Sequence, residues 1–205
     1  MKRGHKIFGS EQELWLAFLS GDNDAFAHLF DTYSDAMFAY GKKICSDSEL
    51  VKDTIQDVFV KLFNNRSSLN RTESVKGYLL IAMKRTLYNR VSQRSFLSID
   101  GEDGLRFEIE LICDSPSEDN DADYDEEMKK KLSDALNQLT PRQREAIYLY
   151  YIQEIPLTEI PDLLGMNYQS TRNLIHRALL SLRQQIDPSI SYAYMSLLLV
   201  QYLVK

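Results

Sequence analysis

The sequence predicts an all-α protein with two helical domains, joined by an acidic flexible linker, of which the second contains a helix-turn-helix. Apolar residues recur three and four positions apart through most of the chain, as they do on amphipathic helices. No stretch alternates apolar and polar residues as a half-buried strand would. The 205 residues include only 8 glycines and 5 prolines, which suits long helices, and they suffice for two cores.

Composition divides the chain into four segments. Residues 11–94 form a dense block of helical apolar patterns. Residues 95–127 have low apolar content and many acids, which indicates a flexible linker. Helical patterns return over 128–187, and residues 188–205 form a strongly apolar tail that is too short for a membrane span.

The net charge of −6 conceals an uneven distribution. Residues 100–127 hold thirteen acidic residues and one basic residue, Arg106, so the rest of the chain carries a net charge of +6. Residues 74–99 contain no acid at all. The sequence therefore pairs an acidic spacer with a basic helix, a distribution compatible with nucleic-acid binding.

In the first domain, the pattern around Ile55, Val58 and Leu62 predicts a helix whose opposite face is polar. A loop rich in Asn and Ser follows at 64–74. The last helix of this domain is predicted over 75–93, with its apolar side facing the core and its basic side facing out.

Three consecutive helices are predicted in the second domain. The first begins with Thr140 as N-cap, Pro141 at the first helical position and Gln143 completing a capping box. The second begins near Leu157 or Thr158, and the later start places Pro161 in the first turn, where proline is tolerated.

A short turn joins the second helix to the third. Gly165 suits the left-handed residue that ends the second helix, and Asn167 is a good N-cap for the third. This is the arrangement of a helix-turn-helix.

The third helix has one apolar side and one polar, basic side. Its apolar stripe consists of Thr171, Leu174, Ile175, Ala178 and Leu182. A solvated surface helix would look similar, but the cap, the glycine turn, the stripe and the donor-rich face occur together, which favours DNA binding. The predicted DNA-contacting residues are Gln169, Ser170, Arg172, Asn173, His176 and Arg177.

The residues favour neither an enzyme nor a cofactor site. The three histidines are scattered, and no glycine-rich loop is present to hold a phosphate. Cys45 and Cys113 lack metal-ligand spacing and are interpreted as free thiols of a cytoplasmic protein. The acidic run that begins at Asp119 resembles a calcium loop, but Tyr124 and Lys130 stand where Gly and Glu are required.

In their order and separation, these features resemble the extracytoplasmic-function (ECF) sigma factors of bacterial RNA polymerase. The resemblance covers roughly residues 11–94 and 128–186 and implies a non-enzymatic initiation factor. It is carried in the first domain by Asp24-Ala25-Phe26 and Asp53-Thr-Ile-Gln-Asp-Val-Phe59, and in the second by Leu139-Thr-Pro-Arg-Gln-Arg-Glu145, Leu164-Gly165 and His176-Arg177-Ala178.

The resemblance implies a role for each domain. The first is expected to bind core RNA polymerase, with Asp53, Gln56 and Asp57 docking on the clamp of the largest subunit. Its loop and basic helix are expected to capture promoter DNA at minus ten through Arg66, Arg71, Lys76, Lys84, Arg85 and Arg90. The second is expected to contact the polymerase flap and to read the minus-thirty-five element through its third helix.

The sequence departs from the family pattern in both domains. Met83-Lys84 stands where members commonly carry an Arg-Asn pair. Tyr168-Gln169 replaces the small residues that are common at the start of the recognition helix, which suggests an individual minus-thirty-five preference.

Two questions remain open at the level of sequence. A stand-alone helix-turn-helix regulator is the alternative to a sigma factor, but it has no need of the Asp53–Asp57 face. The apolar tail either packs onto its own domain or docks an anti-sigma factor or another protein, and packing is favoured because an exposed patch of this kind promotes aggregation.

Overall fold

The computed structural model describes residues 8–72, 74–95, 122–189, 195, 199 and 200. Within these residues it is helical, with turns and no strand, which confirms the predicted all-α architecture. The chain divides into two compact units, Met1–Arg106 and Phe107–Lys205. None of the described helices is both long enough and apolar enough to cross a membrane.

The first unit contains four long helices whose starts are fixed by side-chain caps. Ser10, Asp22 and Asp47 each accept hydrogen bonds from backbone N–H groups at the start of the first three helices. The helices are α1 (Glu11–Leu19), α2 (Asn23–Ile44), α3 (Ser48–Asn64) and α4 (Val75–Ser95), with a short 3-10 turn at Arg66–Ser68. The helix expected over 75–93 is thus confirmed to within two residues at its end.

The core of the first unit is aromatic around α1 and where α2 meets α3, and it also includes aliphatic side chains between α2, α3 and α4. Trp15 and Phe18 are 1% exposed, and their rings lie 5.4 Å apart. Where α2 approaches α3 and α4, Gly41 leaves no room for a side chain, because an added Cβ would lie 2.1 Å from Met83 Cε and 2.7 Å from Val51 Cγ1. Met83 is fully buried, so this departure from the family pattern serves packing.

The N-terminus of α4 is capped by a carboxylate from α1. Oε1 of Glu11 accepts hydrogen bonds from the backbone N–H groups of Val75 (3.1 Å) and Lys76 (3.3 Å), and from the hydroxyl of Tyr33 on α2 (2.7 Å). One oxygen therefore fixes three helices relative to one another. A negative charge at this end also interacts favourably with the positive end of the helix dipole.

The loop before α4 is held from the same side. The indole Nε1 of Trp15 donates to the backbone oxygen of Asn70 at 3.1 Å. Ser74 Oγ accepts from the N–H of Gly77 at 3.0 Å, which satisfies a further donor of the first turn of α4. These hydrogen bonds attach the loop and the following helix α4 to the core. Both segments are the ones that the sequence assigns to DNA capture.

The second unit contains α5 (Ala122–Gln138), α6 (Pro141–Ile147), α7 (Ile160–Leu164) and α8 (Tyr168–Ile186). The capping box between Thr140 and Gln143 is present as predicted. Because α5 begins at Ala122, the last six residues assigned to the linker are helical; the rest of the linker that follows α4 lies outside the described residues, as does Cys113.

The predicted start of the second helix was wrong. A start at Leu157 or Thr158 was expected, but α7 begins at Ile160. The chain first makes a turn in which Pro156 O accepts from the N–H of Glu159 at 2.9 Å. Pro161 still lies in the first turn, where its missing N–H breaks no helical bond.

The sequence did not predict the π-helical turn at Tyr148–Ile152 that follows α6. The Gln153 N–H donates to Tyr148 O at 2.9 Å, and the Gln153 amide donates to the Tyr148 hydroxyl at 2.9 Å. Glu154 then adopts a φ of +53°, in the left-handed region. This turn ends α6 and leads the chain back toward α7.

Five residues of the apolar tail are described: Pro188, Ser189, Met195, Leu199 and Val200. Met195 and Leu199 are fully buried, whereas Val200 is 39% exposed. Burial at a spacing of four residues supports packing of the tail onto the rest of the chain over an exposed docking segment.

Replacing Glu11 with Ala should destabilise the first unit by about 1–3 kcal/mol, because the N–H groups at the start of α4 and the Tyr33 hydroxyl lose their acceptor. Glu13→Ala is the matched control, since the Glu13 carboxylate is exposed and accepts from the N–H of Gly9 only near the chain start. Urea unfolding followed by Trp15, the single tryptophan, measures this unit directly. Equal losses for the two variants would contradict the capping role.

Candidate nucleic-acid and protein interfaces

The residues predicted to bind polymerase lie on the outer side of α3. Asp53 and Gln56 are exposed and Asp57 is partly exposed, while Ile55 and Val58 on the opposite side are buried. Spacings of three and four residues place the polar side chains on one face. Carboxylates and an amide on such a face can form charge-assisted hydrogen bonds with a basic partner.

Val60 extends this face and was not identified from the sequence. Its side chain is 57% exposed, three residues after Asp57 and four after Gln56. A valine within an apolar pattern is normally assigned to the core, so only its helical phase relative to Asp57 indicated an outward position. The face therefore combines acidic, amide and apolar surface.

Asp57 is joined to the basic helix. Its Oδ2 accepts a hydrogen bond from Nη2 of Arg90 on α4, and the side chains of Asp57 and Arg90 are 43% and 28% exposed. Both residues line a groove between α3 and α4 together with Lys61, Thr86, Asn89 and Gln93. The predicted polymerase set and the predicted minus-ten set thus meet at one ion pair.

The other predicted minus-ten cations of α4 differ in exposure. Arg85 is exposed, whereas Lys76 and Lys84 are partly buried. The Lys84 ammonium lies 5.9 Å from the ring centroid of Tyr88, which is 39% exposed. This pair offers a cation beside an aromatic surface. The backbone of Arg94 continues the helix, but its side chain lies outside the described residues.

The two arginines of the loop are placed differently. Arg71 is exposed, but the guanidinium of Arg66 lies 4.6 Å from the ring centroid of Phe63 and donates to Phe63 O at 3.4 Å. Arg66 is therefore held against the core side of the loop. Its positive charge still contributes to the local field.

The predicted minus-thirty-five residues lie together on α8. Gly165, with φ +62°, ends α7, and the side chain of Asn167 accepts from the N–H of Ser170 at 2.8 Å, as predicted. Thr171 and Ile175 are buried on the inner side, along with Ala178, Leu179 and Leu182, while Leu174 is intermediate. Ser170 is partly exposed, and the fully exposed predicted contacts are Gln169, Arg172, Asn173, His176 and Arg177.

Hydrogen bonds along α8 organise part of this face. The Gln169 amide donates from Nε2 to Asn173 Oδ1 at 3.3 Å, and Arg177 donates from Nε to the backbone oxygen of Asn173 at 3.3 Å. These bonds follow the i, i+4 spacing at which helical side chains meet. They leave hydrogen-bonding groups on all three side chains available to a ligand.

Among the described residues, no cluster of His, Cys, Asp and Glu has the arrangement of a metal site. In the acidic segment that begins at Asp119, residues 119–121 and the side chains of residues 122–126 lie outside those described. The described part of the chain has two polar helical surfaces, one on α3 and α4 and one on α8. The sequence of α8 contains no acidic residue.

Comparison with known families assigns both units. A model of sigma-70 region 2 matches residues 29–96, and a model of sigma-70 region 4 matches residues 129–182. The first match contains α3 and α4, and the second contains α6, α7 and most of α8.

Similar full-length proteins point the same way. The chain is 24% identical over 171 residues to the ECF RNA polymerase sigma factor SigW of Bacillus subtilis (strain 168), a match that covers 81% of this chain and 91% of SigW. It is 25% identical over 169 residues to the RNA polymerase sigma factor YlaC of the same organism, covering 81% and 94% of the two chains.

Two solved structures share the fold. The sigma factor RpoE in complex with the anti-sigma factor NepR from Bartonella quintana superposes with a TM-score of 0.55 at 20% identity, covering 80% of this chain and 98% of that one. CnrH in complex with the cytosolic domain of CnrY gives 0.53 at 18% identity, covering 88% and 99%.

Replacing Gly165 with Ala should destabilise the turn between α7 and α8 by about 1–2 kcal/mol, because alanine is strained in the left-handed region. A Cβ at this position would meet no atom within 4 Å, so the cost arises in the backbone alone. Gly165→Asn should cost less, since asparagine tolerates this conformation. Hydrogen exchange of the α7 and α8 amides measures both variants, and equal losses would contradict the backbone explanation.

Proposed function

The chain belongs to the extracytoplasmic-function sigma factors of bacterial RNA polymerase, and we propose that its helical surfaces divide polymerase docking and promoter reading among them. As a sigma factor, it directs transcription initiation with RNA polymerase. The observation that carries this conclusion is the match of regions 2 and 4, in that order, to the two helical units. We assign it no catalytic step and place its action in the cytoplasm, with the polymerase.

The α3 face is proposed to dock on the clamp of the largest polymerase subunit. Asp53 and Gln56 are exposed there, and Asp57 projects at the edge of the groove beside α4. A carboxylate accepts hydrogen bonds from a guanidinium with strength and direction. The exposed side chain of Val60 supplies apolar contact area that an all-polar face would lack.

The α4 helix and the loop before it are proposed to capture the melted strand at minus ten. Arg71 and Arg85 are exposed and supply cations for phosphates. Lys76, Lys84, Arg66 and Arg90 reinforce the positive field from less exposed positions. The capped start of α4 supports this role, because the contacts require a rigid helix rather than a mobile one.

The α8 helix is proposed to enter the major groove at minus thirty-five, with the second unit resting on the polymerase flap. Gln169 and Asn173 suit adenine edges, and Arg172 and Arg177 suit guanine or phosphate. Ser170 and His176 add donors at the margins of the same face. The minus-ten and minus-thirty-five contacts can each be weak. Because one polymerase holds both DNA-binding surfaces, each contact raises the effective concentration of DNA for the other.

An anti-sigma factor is proposed as a further partner. The RpoE structure was solved with the anti-sigma factor NepR, and the CnrH structure was solved with the cytosolic domain of CnrY. Met195 and Leu199 are buried, so these two tail residues contribute to the protein's own core. Any docking through the tail would then use its exposed positions, such as Val200.

Charge reversal at Asp57 (Asp57→Lys) should lower the affinity for core polymerase by at least about tenfold, because a desolvated charge pair becomes a repulsion. Asp35→Lys on α2 makes the same charge change at an exposed position without a proposed contact. Arg90→Gln removes the ion pair but keeps the carboxylate. Competition for fluorescent core enzyme measures all three, and an unchanged affinity for Asp57→Lys would reject the assignment.

The complete proposal predicts that promoter recognition depends on polymerase. Transcription with purified core enzyme on a random promoter pool should enrich sequences at minus thirty-five and minus ten, whereas the chain alone should leave no footprint on them. A strong footprint without core enzyme, together with failure to assemble holoenzyme, would favour the stand-alone regulator.

A further inference from the structure

Tyr168 is an exposed aromatic residue at the start of the recognition helix, and none of the roles above uses it. It is the first residue of α8, and its side chain is 48% exposed. The family commonly has small residues here, so family membership assigns Tyr168 no role. Burial of this ring by a ligand would be favourable, because it would remove apolar surface from water.

The local structure fixes where this ring can lie. The Gly165 turn and the Asn167 cap set the start of α8, and Cβ atoms on a helix tilt toward its N-terminus. The ring therefore extends beyond the first turn, at the end of the helix that contacts base edges in helix-turn-helix proteins.

The surroundings of the ring identify the ligand as DNA. Arg172 follows Tyr168 at a spacing of four and is exposed on the same side, while Gln169 lies beside it on the polar face. The sequence of α8 contains three arginines and no acidic residue. This charge complements the duplex.

We propose that Tyr168 is a specificity-determining residue that covers the C5-methyl group of a thymine at the edge of the minus-thirty-five element. The methyl group of thymine is the apolar feature of the major groove, and an aromatic ring is a suitable partner for it. Gln169 and the arginines already supply polar contacts. Tyr168 adds a contact that recognises thymine by burial rather than by hydrogen bonding. This inference rests on the proposed role of α8.

The test uses holoenzyme reconstituted from the full chain and core polymerase. A promoter selected from a random pool is synthesised with each minus-thirty-five thymine replaced singly by deoxyuridine, which removes only the methyl group. One substitution should lower the occupancy by wild-type holoenzyme about fourfold, the factor that corresponds to burial of one methyl-sized group at about 0.8 kcal/mol.

Three variants give the inference its discriminating outcomes. Tyr168→Phe should retain the preference for thymine over deoxyuridine, whereas Tyr168→Ala should lose it. Tyr150→Ala, which changes a 38% exposed tyrosine of the same unit outside α8, should behave as wild type. If Tyr168→Phe behaves like Tyr168→Ala, the hydroxyl contacts a phosphate and the inference is overturned.

The inference also fails if the selected element lacks thymine or if no deoxyuridine substitution affects wild-type holoenzyme. The proposed role of α8 is tested separately by Gln169→Ala and Arg177→Ala. If these variants lose minus-thirty-five dependence while the thymine preference is absent, only the role of Tyr168 is wrong. If they too have no effect, the role of α8 itself is wrong.

Discussion

The first unit depends on how the start of α4 is satisfied. The N–H groups of Val75, Lys76 and Gly77 have no helical partners, and each finds another acceptor: Glu11 serves Val75 and Lys76, and the Ser74 side chain serves Gly77. Burial, reinforced by the Glu11 carboxylate, raises the pKa of Tyr33, so its hydroxyl remains a donor to the same oxygen even at alkaline pH where a free tyrosine would ionise. The helix α4, which is proposed to face DNA, is thereby oriented by residues that are distant from it in sequence.

The Asp57–Arg90 ion pair orients the two side chains more than it stabilises the fold. Both side chains are partly in solvent, and an ion pair of this kind contributes about 1 kcal/mol or less. A carboxylate has about four lone-pair positions, so Asp57 can hold Arg90 and still accept from a guanidinium of a docked partner. In the proposed docking mode, Arg90 would orient the carboxylate offered to polymerase, in addition to adding positive charge on the α4 side of the groove.

Much of the architecture followed from the sequence because local signals determined it. The capping box at Thr140, the left-handed Gly165 and the Asn167 cap are each set by residues within a few positions of one another, and all three are present. The start of α7 was misplaced because the turn before it is stabilised by Pro156 O, a backbone bond that leaves no mark in the apolar pattern.

The residues that sequence reasoning missed depend on contacts between segments far apart in the chain. The cap on α4 comes from Glu11, 64 and 65 residues away from its two backbone donors. Met83 was recognised only as a departure from the family pattern, because its role depends on Gly41 in another helix. The partial burial of Arg66 has a local cause instead: its guanidinium packs on Phe63, three residues earlier, which the apolar pattern does not indicate.

The small positive charge of α8 explains why its proposed contact with duplex DNA would need support from polymerase. If Arg172 and Arg177 neutralise two phosphates, the slope of log K against log salt is about −1.8, and affinity falls only about tenfold between 50 and 200 mM salt. Proteins that hold duplex DNA alone make several more such contacts. We therefore propose that the amide, guanidinium and aromatic groups on α8 select sequence, while polymerase and the minus-ten contacts provide the affinity that α8 lacks.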